Sequence, residues 1–584
     1  MKKLLIYLKD YKKESILAPL FKMLEAALEL LVPLVIALII DGGIANGDQR
    51  YIVRMCLILI GLGVVGLLCS ITAQYFAAKA SAGFAKQLKH ALFSHIQSLS
   101  FSEIDTLGTS TMITRMTSDM NQVQSGVNLT LRLLLRSPFV VFGSMIMAFT
   151  VDVKAALVFV VTIPLLSVVV LGVMLWCIPL YKKVQAKLDH VLGGTRESLT
   201  GARITRAFCK EDDEIRDFDK NNELLTKIQK HVGSISALMN PVTYIIINLA
   251  IICLIQIGAI RVNAGLITQG AVVALYNYMS QILVELIKLA NLIITITKSV
   301  ACSNRIQNVF DIQSSLALAE WMPASENSDL TVEFRHVNLR YQNTGDDALT
   351  DVNFSVKRGE TIGIIGGTGS GKSSLVNMIP RFYDAEAGEV LVNGINVKDY
   401  PLAVLRDKIG VVPQKAVLFK GSIRENMQWG KASATDEEIF EALNVAQAKD
   451  VTDGKGGLDY IIQQGGKNLS GGQKQRFTIA RALVKQPEIL ILDDSASALD
   501  FATDAALRKA IRAMNNRPTI FMVSQRASSI QYADKIIVLD DGKIVGIGRS
   551  EELLQSCQVY REIYDSQYRK EAISNGYSHQ TAEN

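Results

Sequence analysis

Several features are scarce in this sequence, and each scarcity narrows its chemistry. Among 584 residues there are seven cysteines, Cys56, Cys69, Cys177, Cys209, Cys253, Cys302 and Cys557, scattered and without a C-x-x-C pair. That spacing leaves no pattern for a metal centre or a disulfide framework. Several of them sit in apolar runs, where cysteine acts as a small hydrophobe. A surplus of one charge is also missing. Lys and Arg number 61 against 56 Asp and Glu, a net charge of only +5, so composition makes no case for a nucleic-acid partner. The opening stretch, Met1–Lys13, has no small-residue cleavage site. It is expected to be an interfacial amphipathic helix and not a signal peptide. What the chain has in excess is apolar residues, 49% of the total, with a mean hydropathy of +0.23.

The apolar residues concentrate in six segments, near 15–40, 52–78, 129–150, 154–178, 237–261 and 270–297. Each is long enough to cross a hydrocarbon core as a helix. Three connections are short. The other two, roughly 79–128 and 179–236, are long, polar and helical in pattern, and the second carries Lys182, Lys183, Lys187, Arg196, Arg203 and further basic residues. By the positive-inside rule these long connections are cytoplasmic, as are both termini. Within them Ser102–Gly108 and Gly201–Phe208 break the helical pattern and are candidate docking helices. Glu25, Glu29, Glu285 and Lys288 fall inside the spans. They form either a polar wall of a substrate cavity or paired ties between helices.

A different texture begins after a linker at 313–331. The expected division is a membrane domain over 1–312, a nucleotide domain over 332–570 and a polar tail over 571–584. Glu360–Ile365 reads as a buried strand, and Ser374–Ile379 begins a helix. Between them, Gly366, Gly367, Thr368, Gly369, Ser370, Gly371, Lys372 and Ser373 fit G-x-x-x-x-G-K-[ST]. Glycines there let backbone N–H groups converge on phosphate oxygens at a helix start. Lys372 is expected to reach the β- and γ-phosphates and Ser373 to ligate Mg²⁺. Further motifs follow in order: Tyr341 at a strand end, able to stack on adenine; Gln414 after Ile409–Pro413; Leu469, Ser470, Gly471, Gly472 and Gln473 at a helix head; Asp493 and Asp494 ending an apolar strand; Asp500; and Gln525 ending Thr519–Ser524.

Taken together these motifs resemble an ATP-binding-cassette (ABC) exporter half-transporter over essentially the whole chain. The fold class this implies is an α-helical membrane domain of six transmembrane helices with long cytoplasmic extensions, followed by an α/β P-loop nucleotide domain. The resemblance implies ATP and Mg²⁺ as ligands. Tyr341, Gly366–Ser373, Ser374 and Gln414 would hold ATP, and Ser373, Gln414 and Asp493 would hold the metal. Leu469–Gln473 would contact the ATP of a partner cassette, and Asp500 would lie in the D-loop. Two positions depart from the family pattern. Asp494 stands where a catalytic Glu is expected, and Gln525 where a switch His is expected. A carboxylate shortened by one methylene sits farther from the attacking water.

These departures lead to the expectation of a heterodimer. This chain would be the degenerate-site half of a bacterial multidrug-type exporter, slow at its own ATP and supplying an intact signature to a partner that carries Glu and His. The expected activity is ATP-driven export of amphipathic small molecules, drugs or lipids, across the cytoplasmic membrane. The alternatives are a homodimeric exporter with weak ATPase activity and a nucleotide-sensing regulatory membrane ATPase. A soluble cassette protein is excluded by the six spans. A peptide-processing exporter is disfavoured, because only about 15 residues precede the first span, too few for a protease domain.

Overall fold

A computed structural model of the chain describes residues 2–316, 319, 329–341, 345–495 and 497–567. Most of the expected linker (317–318 and 320–328) and the whole expected tail (571–584) lie outside the described residues. The chain divides into two compact units. The first comprises Met1–Gln97 and Ser110–Ile312; the second comprises Ser98–Thr109 and Gln313–Asn584.

The first unit contains six helices long and apolar enough to cross a membrane: Lys3–Ile44, Gln49–Ser98, Thr109–Val151, Val153–Thr200, Glu211–Asn263 and Gln269–Asp311. They run from 42 to 53 residues. That is about twice the ~20 residues a hydrocarbon core requires. The apolar runs are therefore the membrane portions of longer rods whose remainder is polar. Local chemistry sets the breaks between them. Asp152 alone separates two spans, with an extended backbone and a carboxylate that accepts the N–H of Ala155 at 2.8 Å. Thr268 caps the last span by accepting from the N–H of Ala271 at 3.3 Å. Pro138 and Pro241 sit in the first turns of Arg136–Val151 and Met239–Asn263, where the missing N–H has no intrahelical partner to lose. The buried seams are rich in small residues, including Ala26, Ala148, Ala155, Ala156 and Ala274, which let helices approach closely. Large apolar side chains such as Val161, Val168 and Trp176 stay exposed. A bilayer is the solvent that suits them.

The second unit is built on two sheets. An antiparallel sheet orders Leu349–Lys357, Leu330–Leu339, Ala387–Val392 and Ile395–Asn396. The larger sheet orders Lys543–Gly548, Lys535–Asp540, Thr361–Gly366, Thr519–Val523, Ile489–Asp493 and Ile409–Val412. Its last five strands pair in parallel. Their near-continuous apolar sequences follow from burial on both faces. Ile362, Ile364, Ile489, Ile491, Phe521 and Val523 face one core with the antiparallel sheet. Their neighbours Ile365, Leu490, Leu492, Ile520 and Met522 face a second core with helices. This two-residue alternation fixes the register, since a one-residue slip would exchange the two cores.

Ser98–Thr109 groups with this unit although it lies between two spans in sequence. Its helix, Phe101–Leu107, starts at a capping box of Ser100 and Glu103 and stops at Gly108, whose φ is 73°. The other expected interruption is the short helix Ala202–Ala207 in the first unit, where Ile204 is exposed.

Candidate functional site

Parallel strands deliver their carboxyl ends to one edge of a sheet, and in open α/β sheets ligands bind there. Registry explains why distant motifs meet. Gly366 pairs with Leu539, and Asp493 with Val523. The N–H of Asp494 donates to the carbonyl of Val523 at 3.0 Å, and the N–H of Ser524 to that of Ile364 at 3.0 Å. The loop after Gly366, the acidic pair 493–494, Gln414 and Gln525 therefore all leave from the same edge.

The loop has no room for larger residues at two points. A Cβ on Gly366 would lie 2.1 Å from the carbonyl oxygen of Leu539. Gly371 has φ of +91°, and its Cβ would lie 2.7 Å from the carbonyl oxygen of Ala348. Gly371 leads into the helix Lys372–Met378. Lys372 is buried, and its Nζ donates to the carbonyl of Gly366 at 3.0 Å and to Ser370 Oγ at 3.3 Å. Burial pushes its pKa down, against the pull of Asp494 and Asp493. Ser373 Oγ donates to Asp493 Oδ1 at 3.0 Å. Burial pushes the Asp493 carboxyl above its usual range, and that of Asp494 likewise. Asp494 is half-buried and has a left-handed backbone (φ 46°), and the side chain of Gln414 opposes the upward push of burial on its pKa.

The residues present fit a nucleotide with Mg²⁺. A hydroxyl and a carboxylate, both hard oxygen donors, are paired at the head of the helix. The ammonium beside them is held by backbone carbonyls and a hydroxyl, which neutralise none of its charge. Tyr341 lies next to this group. Its hydroxyl donates to Ser374 Oγ at 2.8 Å, and its ring meets the ring of Tyr383 edge-on at 5.1 Å.

The signature residues are placed differently. Ser470 caps the helix Gly471–Leu483 in a capping box with Gln473, with bonds of 3.1 and 3.3 Å between them. Among the described residues, neither bonds to the phosphate loop. Asp500 caps Phe501–Arg512, accepting from the N–H of Thr503 at 2.8 Å. Gln525 is exposed, and its carbonyl accepts from Gln567 Nε2 at 2.7 Å.

The intramembrane carboxylates have cationic partners, of which the sequence reading had named only Lys288 beside Glu285. Arg136 is buried and donates to Glu285 at 2.6 Å and to Glu29 at 2.6 Å. Ser137 and Lys288 also donate to Glu285, at 2.9 and 2.8 Å. Glu25 pairs with Lys22 of its own helix at 2.8 Å. An arginine inside an apolar run was the available signal, because such a residue is costly unless paired.

Comparison with known proteins agrees with this geometry. Residues 15–286 match the ABC transporter transmembrane region, and residues 349–497 match the ABC transporter nucleotide domain. The chain is 36% identical to the uncharacterized ABC transporter ATP-binding protein YfiB of Bacillus subtilis, over 98% of this chain and 99% of that one. It is 31% identical to the putative multidrug export ATP-binding/permease protein YgaD of Bacillus subtilis, over 97% of this chain and 99% of the relative. A solved bacterial Atm1-family ABC exporter with ATP bound shares the fold at a TM-score of 0.79 and 22% identity, covering 95% of this chain and 98% of that one.

One expectation is overturned by these matches. Asp494 and Gln525 had pointed to the degenerate-site half of a heterodimer, with a distinct partner carrying Glu and His. The whole-length relatives combine ATP-binding and permease functions in single chains of this same two-region design, and a solved exporter matches the fold from end to end. The separate partner and the slow, degenerate site are therefore set aside. The physical reason lies at Asp494. One lost methylene was given too much weight, whereas the carboxylate itself is retained at the strand end, where burial raises its pKa. The chain belongs to the ABC transporters: it is a multi-pass membrane protein whose cytoplasmic nucleotide domain binds ATP and Mg²⁺ and acts as a transport ATPase.

Proposed function

We propose that two copies of this chain form a homodimeric exporter that drives amphipathic small molecules out of the cytoplasm with ATP. The observation carrying this reading is that one chain holds the phosphate loop, the signature and the acidic strand end, with a carboxylate kept at position 494 and Gln525 in place of the switch His. Two copies then supply two equivalent sites, each pairing the Gly366–Ser373 loop of one with Leu469–Gln473 of the other. Tyr341 stacks on the adenine, and Lys372 holds the terminal phosphates. Ser373, Asp493 and Gln414 hold Mg²⁺, which when bound neutralises charge developing on the phosphates. Asp494 accepts the proton of the attacking water, and Gln525 donates a hydrogen bond to the γ-phosphate. The choice of cargo class is supported by the relatives named for multidrug export.

Transport in inside-out vesicles containing only this chain tests the reading. ATP is expected to drive accumulation of a fluorescent amphipathic compound, and the Lys372→Ala chain is expected to show none. Equal accumulation with and without ATP across a panel of amphipathic compounds would overturn it.

A further inference from the structure

Tyr383 and Asp105 have no part in the chemistry described above, yet they lie on a continuous path to it. Tyr383 Oη donates to Asp105 Oδ2 at 2.6 Å. Asp105 belongs to Phe101–Leu107, the segment that joins two spans in sequence but groups with the nucleotide unit. The segment is held at a second point nearby, where the rings of Phe101 and Phe382 lie 4.5 Å apart, and the Arg406 guanidinium sits 5.3 Å from the Phe382 ring. On its other side the Tyr383 ring meets Tyr341 at 89° and 5.1 Å. Tyr341 is fixed at its far end by Ser374, the residue after Ser373. Four groups from separate parts of the chain thus stand in series: Asp105, Tyr383, Tyr341, Ser374.

We propose that Asp105 and Tyr383 are positioning residues for the base of ATP, setting the tilt of Tyr341 so that the purine, and not the phosphates, responds to the segment Ser98–Thr109. An edge-on aromatic contact fixes the orientation of a ring more than its position, and stacking on a purine depends on that orientation. The Tyr383 hydroxyl remains a donor throughout the physiological range, because burial and then Asp105 push its pKa up. The link is therefore a permanent strut. By linkage, whatever the segment does to adenine affinity, bound adenine does in return to the segment.

This inference rests on the reading that Tyr341 stacks on adenine, and the test separates the two. The full chain in lipid nanodiscs is assayed for the KM of ATP, for kcat, and for inhibition by inorganic tripolyphosphate, which has no base. Tyr383→Phe and Asp105→Ala are each expected to raise KM for ATP by about threefold to tenfold, as for loss of one charge-assisted bond. kcat and the tripolyphosphate inhibition constant should stay within about twofold of the parent. The double variant should be no worse than either single one, because both remove the same bond. An unchanged KM in both variants, an equal loss toward tripolyphosphate, or additive effects would overturn the relay. Tyr341→Ala serves as the reference. If it leaves ATP affinity unchanged, the stacking reading fails. If it weakens ATP while the other two variants do not, the relay alone fails.

Discussion

The buried charges of the two units are satisfied in opposite ways. In the membrane unit, Glu285 is met by Arg136, Ser137 and Lys288, and Arg136 by a second carboxylate on Glu29. In the nucleotide unit, Lys372 leans on the backbone carbonyls of Gly366 and Gly367 and on a serine hydroxyl, while Asp493 and Asp494 have their pKa values raised by burial. Charges that already have full ionic partners act as ties between helices. Charges left with neutral partners are costly to hold and are poised for a ligand that brings the opposite charge. Burial alone does not distinguish a functional charge from a structural one, whereas the identity of its partners does.

Substitutions and a pH profile test this contrast, in order of decreasing effect. Asp494→Asn removes the proposed base and should lower kcat for ATP by about 10²–10⁴-fold without loss of fold. A steady-state phosphate-release assay alongside a thermal melt checks both halves of that expectation. Arg136→Ala should do the reverse, destabilising the membrane unit by about 3 kcal/mol, the low end for a broken buried pair, because Glu285 keeps Lys288 but loses its buried cation. Restoring stability with Glu285→Gln in the same chain would confirm that the pair is a tie. A drop in kcat with unchanged stability would instead put Arg136 in the working machinery.

The pH dependence gives a smaller effect. Asp494 must be ionised to accept a proton, and burial raises its pKa. Hydrolysis should therefore be full at high pH and fall as pH drops through that raised value, above the ordinary aspartate value of about 3.9. A kcat/KM profile against pH checks this acid limb. The smallest effect belongs to pairs that are ionic but exposed. Lys449→Ala breaks the i,i+4 pair with Asp453 and should cost no more than about 0.5 kcal/mol by chemical denaturation, marking the baseline for the other changes.

Much of the nucleotide unit was legible in the sequence because its chemistry is local. A P-loop is eight consecutive residues between a strand and a helix, and Ser470 caps its helix with Gln473 only three positions on. The spans were legible for a similar reason, since an apolar run reports its own solvent. What escaped was pairing over distance. Arg136 and Glu285 are 149 positions apart, and Asp105 and Tyr383 are 278 apart. No periodicity connects such residues; only the packing of helices or the return of a segment to another unit does. The same limit affected Asp494. Its side-chain length could be read from sequence, but its burial could not.

By the proposed function, this chain alone makes a working ATPase through Asp494. The most direct test is the ATPase activity of the purified chain in lipid nanodiscs, with no other transporter subunit present. The account predicts hydrolysis that is stimulated by amphipathic compounds and lost in Asp494→Asn. A lone chain that binds ATP, turns over no faster than its Asp494→Asn form and gains activity only when a different chain is added would contradict it.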